Sequence, residues 1–515
     1  MSAQKNVSNL LIGNIQIIFF RMMVTVLLGV LTTRLVFHEL GEIQFGVFSV
    51  VGASIFLIST IQTTLTASTQ RHIAFELGKN DQGAAAQVFS TSLLLVLIVA
   101  SVAIIGGFLL SVYMVQLLNV PQEMQDATLV TLRYTIASAA VLTVASPFVA
   151  TLSANQNFFF TSIVAIAMSF GSLVAAYCLR FLPGNSLENY SELRFLVITS
   201  TTSATVFFAL LNFRESHFSY KRIKKNLIKS LVAFGGWSGL NNFSWQMRFQ
   251  GFQLLGNAFY GPSFNAALGV AQQLYGYANS LPAAVINVVR PTLTQLIGRE
   301  DRQRAIGLLQ ISTRVCPILA FYLVGPLLIE LEFILTTWLG NPPKGTTVVT
   351  IILLINLLLD HMTSGHAVFF HARGEIKGYS LFIMGNVISQ LILAIFLTAF
   401  LNLPPYSIVL IVLAGTLVNT CYRILYAVPA VPAKEAIQLW FSTCFFPVFV
   451  PCIVAIGSGV LVTLVSIING WTRLAIVILV HSAVLSVFVW TLGLQRFEKE
   501  KFQFYICTTL GLKQS

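Results

Sequence analysis

Four arginines lie inside apolar runs of this 515-residue chain, and two of them occupy matching places in a sequence that repeats itself. Asn14, Arg21, Leu27, Leu28 and Gly29 are answered at a constant offset of 227 by Asn241, Arg248, Leu254, Leu255 and Gly256. Further on, Arg71, Leu77, Gly78, Lys79 and Asp81 are answered by Arg290, Ile297, Gly298, Arg299 and Asp301 at offsets of 219 to 220. The offset shrinks because the connection over 36–46 is longer than its counterpart over 258–264. Arg21 lies about 16 Å into its span at ~1.5 Å per residue, near the middle of a ~30 Å hydrocarbon layer. An arginine at that depth costs roughly 2.5–3.5 kcal/mol on insertion scales, so Arg21, Arg248, Arg314 and, nearer an interface, Arg133 need a wet cavity or counter-charges. Asn14, Arg21, Thr25 and Thr32 follow one another at spacings of 7, 4 and 7, which puts them on one helical face. The ligand that suits such a face is an anion. A diphosphate in particular fits the planar guanidinium fork.

Counter-charges are scarce. Asp360 is the one acid deep in an apolar run, with Glu330 and Glu332 at the end of theirs. On the span over 347–371, Asn356, Asp360, Ser364 and His371 are expected to share a face, which makes Asp360 and His371 candidate ion-coupling residues. The alternative for Asp360 is a structural pairing with an arginine. His361, His366 and His371 are five residues apart and turn away from one another, so no metal site is expected. Polar side chains for a sugar are offered by Gln62, Thr63, Thr66, Asn265, Gln272, Tyr275, Asn279 and Asn287, with amide bonding between helices as the equal alternative. No phosphate-binding G-x-x-x-x-G-K-[ST] loop occurs, so no nucleotide or other cofactor is expected.

The elements that must carry these residues follow from composition. Hydrophobic residues make up 56% of the chain and charged residues 9%, with a mean hydropathy of +0.81. Continuous runs of span length recur from end to end, which predicts an all-α polytopic membrane protein and not a barrel. We expect about 14 transmembrane helices: two six-helix lobes related by a pseudo-two-fold axis along the membrane normal, plus a C-terminal helix pair. The divisions are an N-lobe over 1–213, a basic link over 214–230, a C-lobe over 231–430, the additional pair over 431–493 and a tail over 494–515. With the N-terminus inside, 21 of the 30 lysines and arginines fall in cytoplasmic segments, 5 outside and 4 within spans. The net charge of +12 is therefore a topology signal and not a nucleic-acid one. N- and C-termini are expected in the cytoplasm, and the link, where Ile223, Leu227 and Leu231 recur every four residues, is expected to lie on anionic lipid or to act as a solvated tether. The six cysteines stand singly and read as packing residues, and the first run reads as an uncleaved span.

Several stretches carry a resemblance to a known family. They are Thr33-Arg34-Leu35 through Leu40-Gly41 to Phe45-Gly46-Val47-Phe48, Arg71 through Gly78-Lys79-Asn80-Asp81, Phe234-Gly235-Gly236-Trp237, and Phe259-Tyr260-Gly261-Pro262 to Asn265-Ala266-Ala267-Leu268-Gly269-Val270. Over most of residues 1–430 the chain resembles flippases of the multidrug/oligosaccharidyl-lipid/polysaccharide (MOP) exporter superfamily, and more narrowly the Wzx-type translocases of polysaccharide repeat units. The resemblance implies two six-helix lobes around a central cavity and alternating access for an undecaprenyl-pyrophosphate-linked oligosaccharide of O-antigen, capsule or exopolysaccharide. It implies a place in the bacterial inner membrane among lipopolysaccharide or other polysaccharide biosynthesis proteins, with a polymerase as a partner. The extra pair over 439–493 departs from relatives that stop at twelve spans and resembles the fourteen-span lipid II flippases.

Three other readings stand beside it. A lipid II flippase shares the anionic headgroup. A cation-coupled drug exporter would want acids in its first lobe, where no span has one. A membrane-embedded polymerase or ligase would want a large outer loop, and the longest outer connection, 331–346, is short. A non-enzymatic transporter is the expectation.

Overall fold

The computed structural model describes residues 2–374, 376–428, 431–465 and 470–493 together with Lys499, with the side chains of 2–15, 233–235, 237–238 and 376 outside the description. In the first half the helices are α1 (Ser2–Ser54), α2 (Phe56–Gly78), α3 (Gln82–Leu117), α4 (Gln125–Ala154), α5 (Phe158–Cys178) and α6 (Ser186–Asn212). Next come α7 (Lys225–Gln246), α8 (Phe252–Gly298), α9 (Arg302–Ile329), α10 (Leu331–Leu339), α11 (Thr346–His361) and α12 (Ser364–Arg373). The chain continues with α13 (Ile376–Leu401), α14 (Tyr406–Tyr426), α15 (Ala433–Trp440), α16 (Phe446–Val465) and α17 (Trp471–Phe488). Among the described residues there is no strand.

Ten of these helices are long and apolar enough to cross a membrane, or eleven if the bent pair Thr346–His361 and Ser364–Arg373 is one span. Of the fourteen spans expected, α2 and the run from α7 into α8 are long enough but do not pass by hydropathy. These are the helices that carry Gln62, Thr63 and Thr66, and Asn241, Arg248, Asn257, Asn265 and Gln272. The polar residues that make them interesting are what lowers their apolarity.

The repeat is visible in the backbone. Gly41 (φ 70, ψ 176) interrupts α1, and 220 residues later Gly261 (φ 76, ψ −170) interrupts α8 in the same conformation. A left-handed φ costs a side-chain-bearing residue energy that glycine avoids. The connection expected over 36–46 is therefore a one-residue kink in a helix, not an open loop. Asn80 (φ 61) and Glu300 (φ 59) close α2 and α8 at the same offset. Asp81 and Asp301 then cap the next helices, accepting from Ala84 N at 2.8 Å and from Arg304 N at 3.2 Å. Core positions repeat too, with Ile73, Ala85 and Phe89 buried in one cluster and Leu293, Ala305 and Leu309 in another.

The chain packs as two compact units, one comprising 1–269 and 380–408, the other 270–379 and 409–515. Within the first unit, turns that the charge pattern assigns to one side of the membrane meet. The Asn257 amide bonds both backbone groups of Asn119 at 2.8 and 3.3 Å, Tyr260 Oη donates to Leu403 O at 2.6 Å, and Ser263 donates to Glu42. Turns assigned to the opposite side meet separately. His72 Nε2 lies 3.0 Å from Ser230 Oγ, Lys224 N donates to Thr91 Oγ1 at 3.3 Å, and Asn155 Nδ2 donates to Glu215 at 2.8 Å. One expectation is corrected here. The apolar side of the link does not lie on lipid, because Leu231 is buried and Leu227 packs with it against Ile73, Val88 and Phe89.

Candidate functional site

Arg248 sits in a π-helical turn, Met247–Gly251, that joins α7 to α8. Such a turn carries one extra residue and re-aims the side chains on it, and it is frequent at functional sites. The side chain is 4% exposed, with its guanidinium carbon 5.7 Å from the Trp245 ring centroid. The turn packs against α1, the helix that carries Arg21. Arg21 itself is half-buried, and Thr25, one turn later, donates to Met22 O at 3.0 Å. Both arginines thus belong to the first unit. The acids of that unit, from Glu39 to Glu215, lie toward helix ends, at connections, or, for Glu39 and Glu42, beside the Gly41 kink of α1.

Amides accompany them. Asn241 Oδ1 on α7 is buried without a hydrogen-bond partner among the described residues, as are both polar atoms of Asn265 on α8 and of Gln390 on α13. Gln390 belongs to a helix packed on the Arg248 turn, since its neighbour Leu391 lies 3.7 Å from where a Cβ on Gly251 would stand. Buried amides left open in this way call for water or a ligand. Asn14 lies among the residues whose side chains are not described.

Arg133 is tied to α3. Its Nε donates to Ser111 Oγ at 3.4 Å and its guanidinium lies 5.8 Å from the Phe108 ring. Arg314, 2% exposed on α9, and Gln272, partly buried on α8, belong to the second unit. A groove of about 530 Å³ beside the link is lined by Glu76, Gln87, Lys224 and Lys225.

The span carrying Asp360 and His371 is corrected most. It is not one helix. α11 stops at His361, α12 starts at Ser364, and the two are bent by 50°. The face expected to join Asp360 to His371 is therefore broken between them. The break lets α12 approach α9 at Gly365, where a Cβ would run into Leu309 O and the hydroxyls of Ser312 and Thr313. Asp360 Oδ1 accepts from Arg423 Nη1 at 2.9 Å, while His371 stands edge-on to Tyr379, ring centroids 5.8 Å apart. His361 Nε2 lies 2.9 Å from Asn279 Oδ1 and His366 Nδ1 3.4 Å from Thr313 Oγ1. Among the described residues no three His, Cys, Asp or Glu side chains are grouped to hold a metal.

Arg423 is not among the arginines that the sequence singles out. The signal for it was the demand of Asp360 for a partner. The C-terminal helices also prove to be built into the second unit. Trp440 Nε1 donates to Met362 O at 3.0 Å, at the break itself. Arg473 binds Glu330 through Nε and Nη2, each at 2.7 Å, and Tyr322 Oη lies 2.8 Å from Ser486 Oγ.

Kinked helices in repeated registers, with arginines and open amides buried inside them, define a multi-pass helical membrane protein of duplicated architecture. Its fold is that of the MOP superfamily transporters. Over 93% of this chain and 98% of its own, the lipid II flippase MurJ in an inward closed conformation matches with a TM-score of 0.68 at 13% identity. An inward-facing multidrug resistance transporter of the MATE family matches over 80% of this chain and 97% of its own, with a TM-score of 0.67 at 13% identity. A MOP superfamily transporter from Pyrococcus furiosus, described as having a binding pocket of reverse polarity, matches over 83% and 96%, with a TM-score of 0.64 at 12% identity. No family model and no curated protein sequence matches the chain.

Proposed function

We propose that this protein is a flippase that carries an undecaprenyl-pyrophosphate-linked oligosaccharide, the repeat unit of an O-antigen, capsule or exopolysaccharide, across the bacterial cytoplasmic membrane by alternating access. The observation that carries this reading is the pair Arg21 and Arg248, contributed from equivalent repeat positions to one unit whose acids lie at helix ends, connections or the Gly41 kink. Two guanidinium groups match the charge and geometry of a pyrophosphate. The open amides of Asn241, Asn265 and Gln390 suit sugar hydroxyls, and Arg314 and Gln272 offer the same chemistry within the second unit. Membrane lipids and a polysaccharide polymerase are the partners this reading implies, with both termini in the cytoplasm.

Lipid II is the second cargo to consider, favoured by the likeness to MurJ, which covers 93% of this chain. A drug exporter that loads a cation on Asp360 is disfavoured, since Arg423 already holds that carboxylate. Depletion of the protein in its own cell is the test. Accumulation of inward-facing lipid-linked repeat units supports the first reading, accumulation of lipid II the second, and unchanged pools of both refute the two together.

A further inference from the structure

Asp360 lies in the last turn of α11, just before the chain breaks, and is 8% exposed. A carboxylate held in hydrocarbon must be neutralised in one of three ways: by a proton, by a bound metal cation, or by a fixed positive group. The first two exchange with solvent and can couple transport to an ion gradient. The third cannot.

Here the fixed group is present. Arg423 of α14, 3% exposed, places Nη1 2.9 Å from Asp360 Oδ1 and 3.2 Å from Thr363 Oγ1, and Nε 3.0 Å from Tyr379 Oη. Its acceptors come from α11, from the break and from α13, so the guanidinium is held from three sides and its carbon lies 5.9 Å from the Tyr379 ring. An arginine does not give up its proton in proteins. The other titratable groups around this pair are Tyr379, which accepts from Arg423, His371 of α12, which stands edge-on to Tyr379, and two histidines with neutral partners. His361 on the same helix faces Asn279 of α8, and His366 on α12 faces Thr313 of α9.

We propose that Arg423 is a built-in counter-cation, which keeps Asp360 ionised throughout and leaves this carboxylate no exchangeable proton or alkali cation to bind. An inward cation gradient is then not coupled to transport through Asp360. The inference does not depend on which cargo is carried, and its test needs no cargo.

The purified full-length protein in nanodiscs is assayed for equilibrium binding of ²²Na⁺ and for proton uptake on acidification. The reference is Asp360→Asn/Arg423→Gln, which nearly keeps the shape at Asp360 and leaves no lone charge. Wild type is expected to match that reference in both assays. Arg423→Gln is expected to gain a single sodium or proton site that the second substitution, Asp360→Asn, removes again. Binding of ²²Na⁺ or of a proton by wild type in excess of the reference overturns the proposal, whether or not Arg423→Gln folds. So does a folded Arg423→Gln that gains neither.

Discussion

The indole of Trp440, at the end of α15, donates its Nε1–H to the carbonyl oxygen of Met362, the residue at which the chain breaks between α11 and α12. A helix break releases backbone groups that hydrocarbon cannot satisfy. The additional helices thus supply a donor where the repeat-derived part of the chain left an acceptor open. Ile318, Phe321, Ile424, Cys444, Val448 and Leu485 pack around the joint.

Trp440→Phe keeps an aromatic ring of smaller volume and deletes the donor. Leaving that carbonyl unbonded is expected to cost about 1–3 kcal/mol. Unfolding in mixed detergent micelles measures it, and a transition identical to wild type would show that the bond contributes nothing.

Arg21→Ala and Arg248→Ala are each expected to reduce translocation about ten- to a hundredfold, which corresponds to loss of a charged hydrogen bond of ~1.5–3 kcal/mol. Membrane insertion is expected to stay at wild-type level. A flipping assay alongside quantified expression separates the two, and normal flipping by both variants ends the cationic-site reading.

Arg473→Ala strands the carboxylate of Glu330, which is 3% exposed and bound at both oxygens. A loss of about 1–3 kcal/mol is expected, since the cation of this pair is partly exposed and water can reach the carboxylate once it is gone. Glu330→Gln/Arg473→Ala removes that charge and should recover part of the loss, a pattern that a thermal-shift series on the single and double variants reads directly.

Gly365→Ala places a methyl against Leu309 O, Ser312 and Thr313, all on α9. Overpacking of this kind costs typically ~1–3 kcal/mol, and more where backbone must move. A cysteine pair across α9 and α12 is expected to crosslink more slowly in this variant. Gly378→Ala, which meets nothing within 4 Å, serves as the control.

The legible part of this protein was local or periodic. Span-length apolar runs, the capping aspartates Asp81 and Asp301 and the repeat register each rest on residues close in sequence or at a fixed offset. The register needed no structure, although only the dihedrals of Gly41 and Gly261 revealed that each kinks a continuing helix. Hydropathy undercounts the spans for a related reason, because averaging over a window penalises helices that bury polar groups inside the protein.

By itself the sequence determined an all-helical, duplicated membrane chain with arginines at matching depths. Only the tertiary structure decided that Asp360 belongs to Arg423, that the span over 347–371 is two helices, and that Trp440 closes the gap. Those facts join residues 63 and 78 positions apart. Local propensity carries no information at that range. Which buried charge meets which is settled by packing, where leaving either one unpaired in hydrocarbon costs more than any local preference can offset.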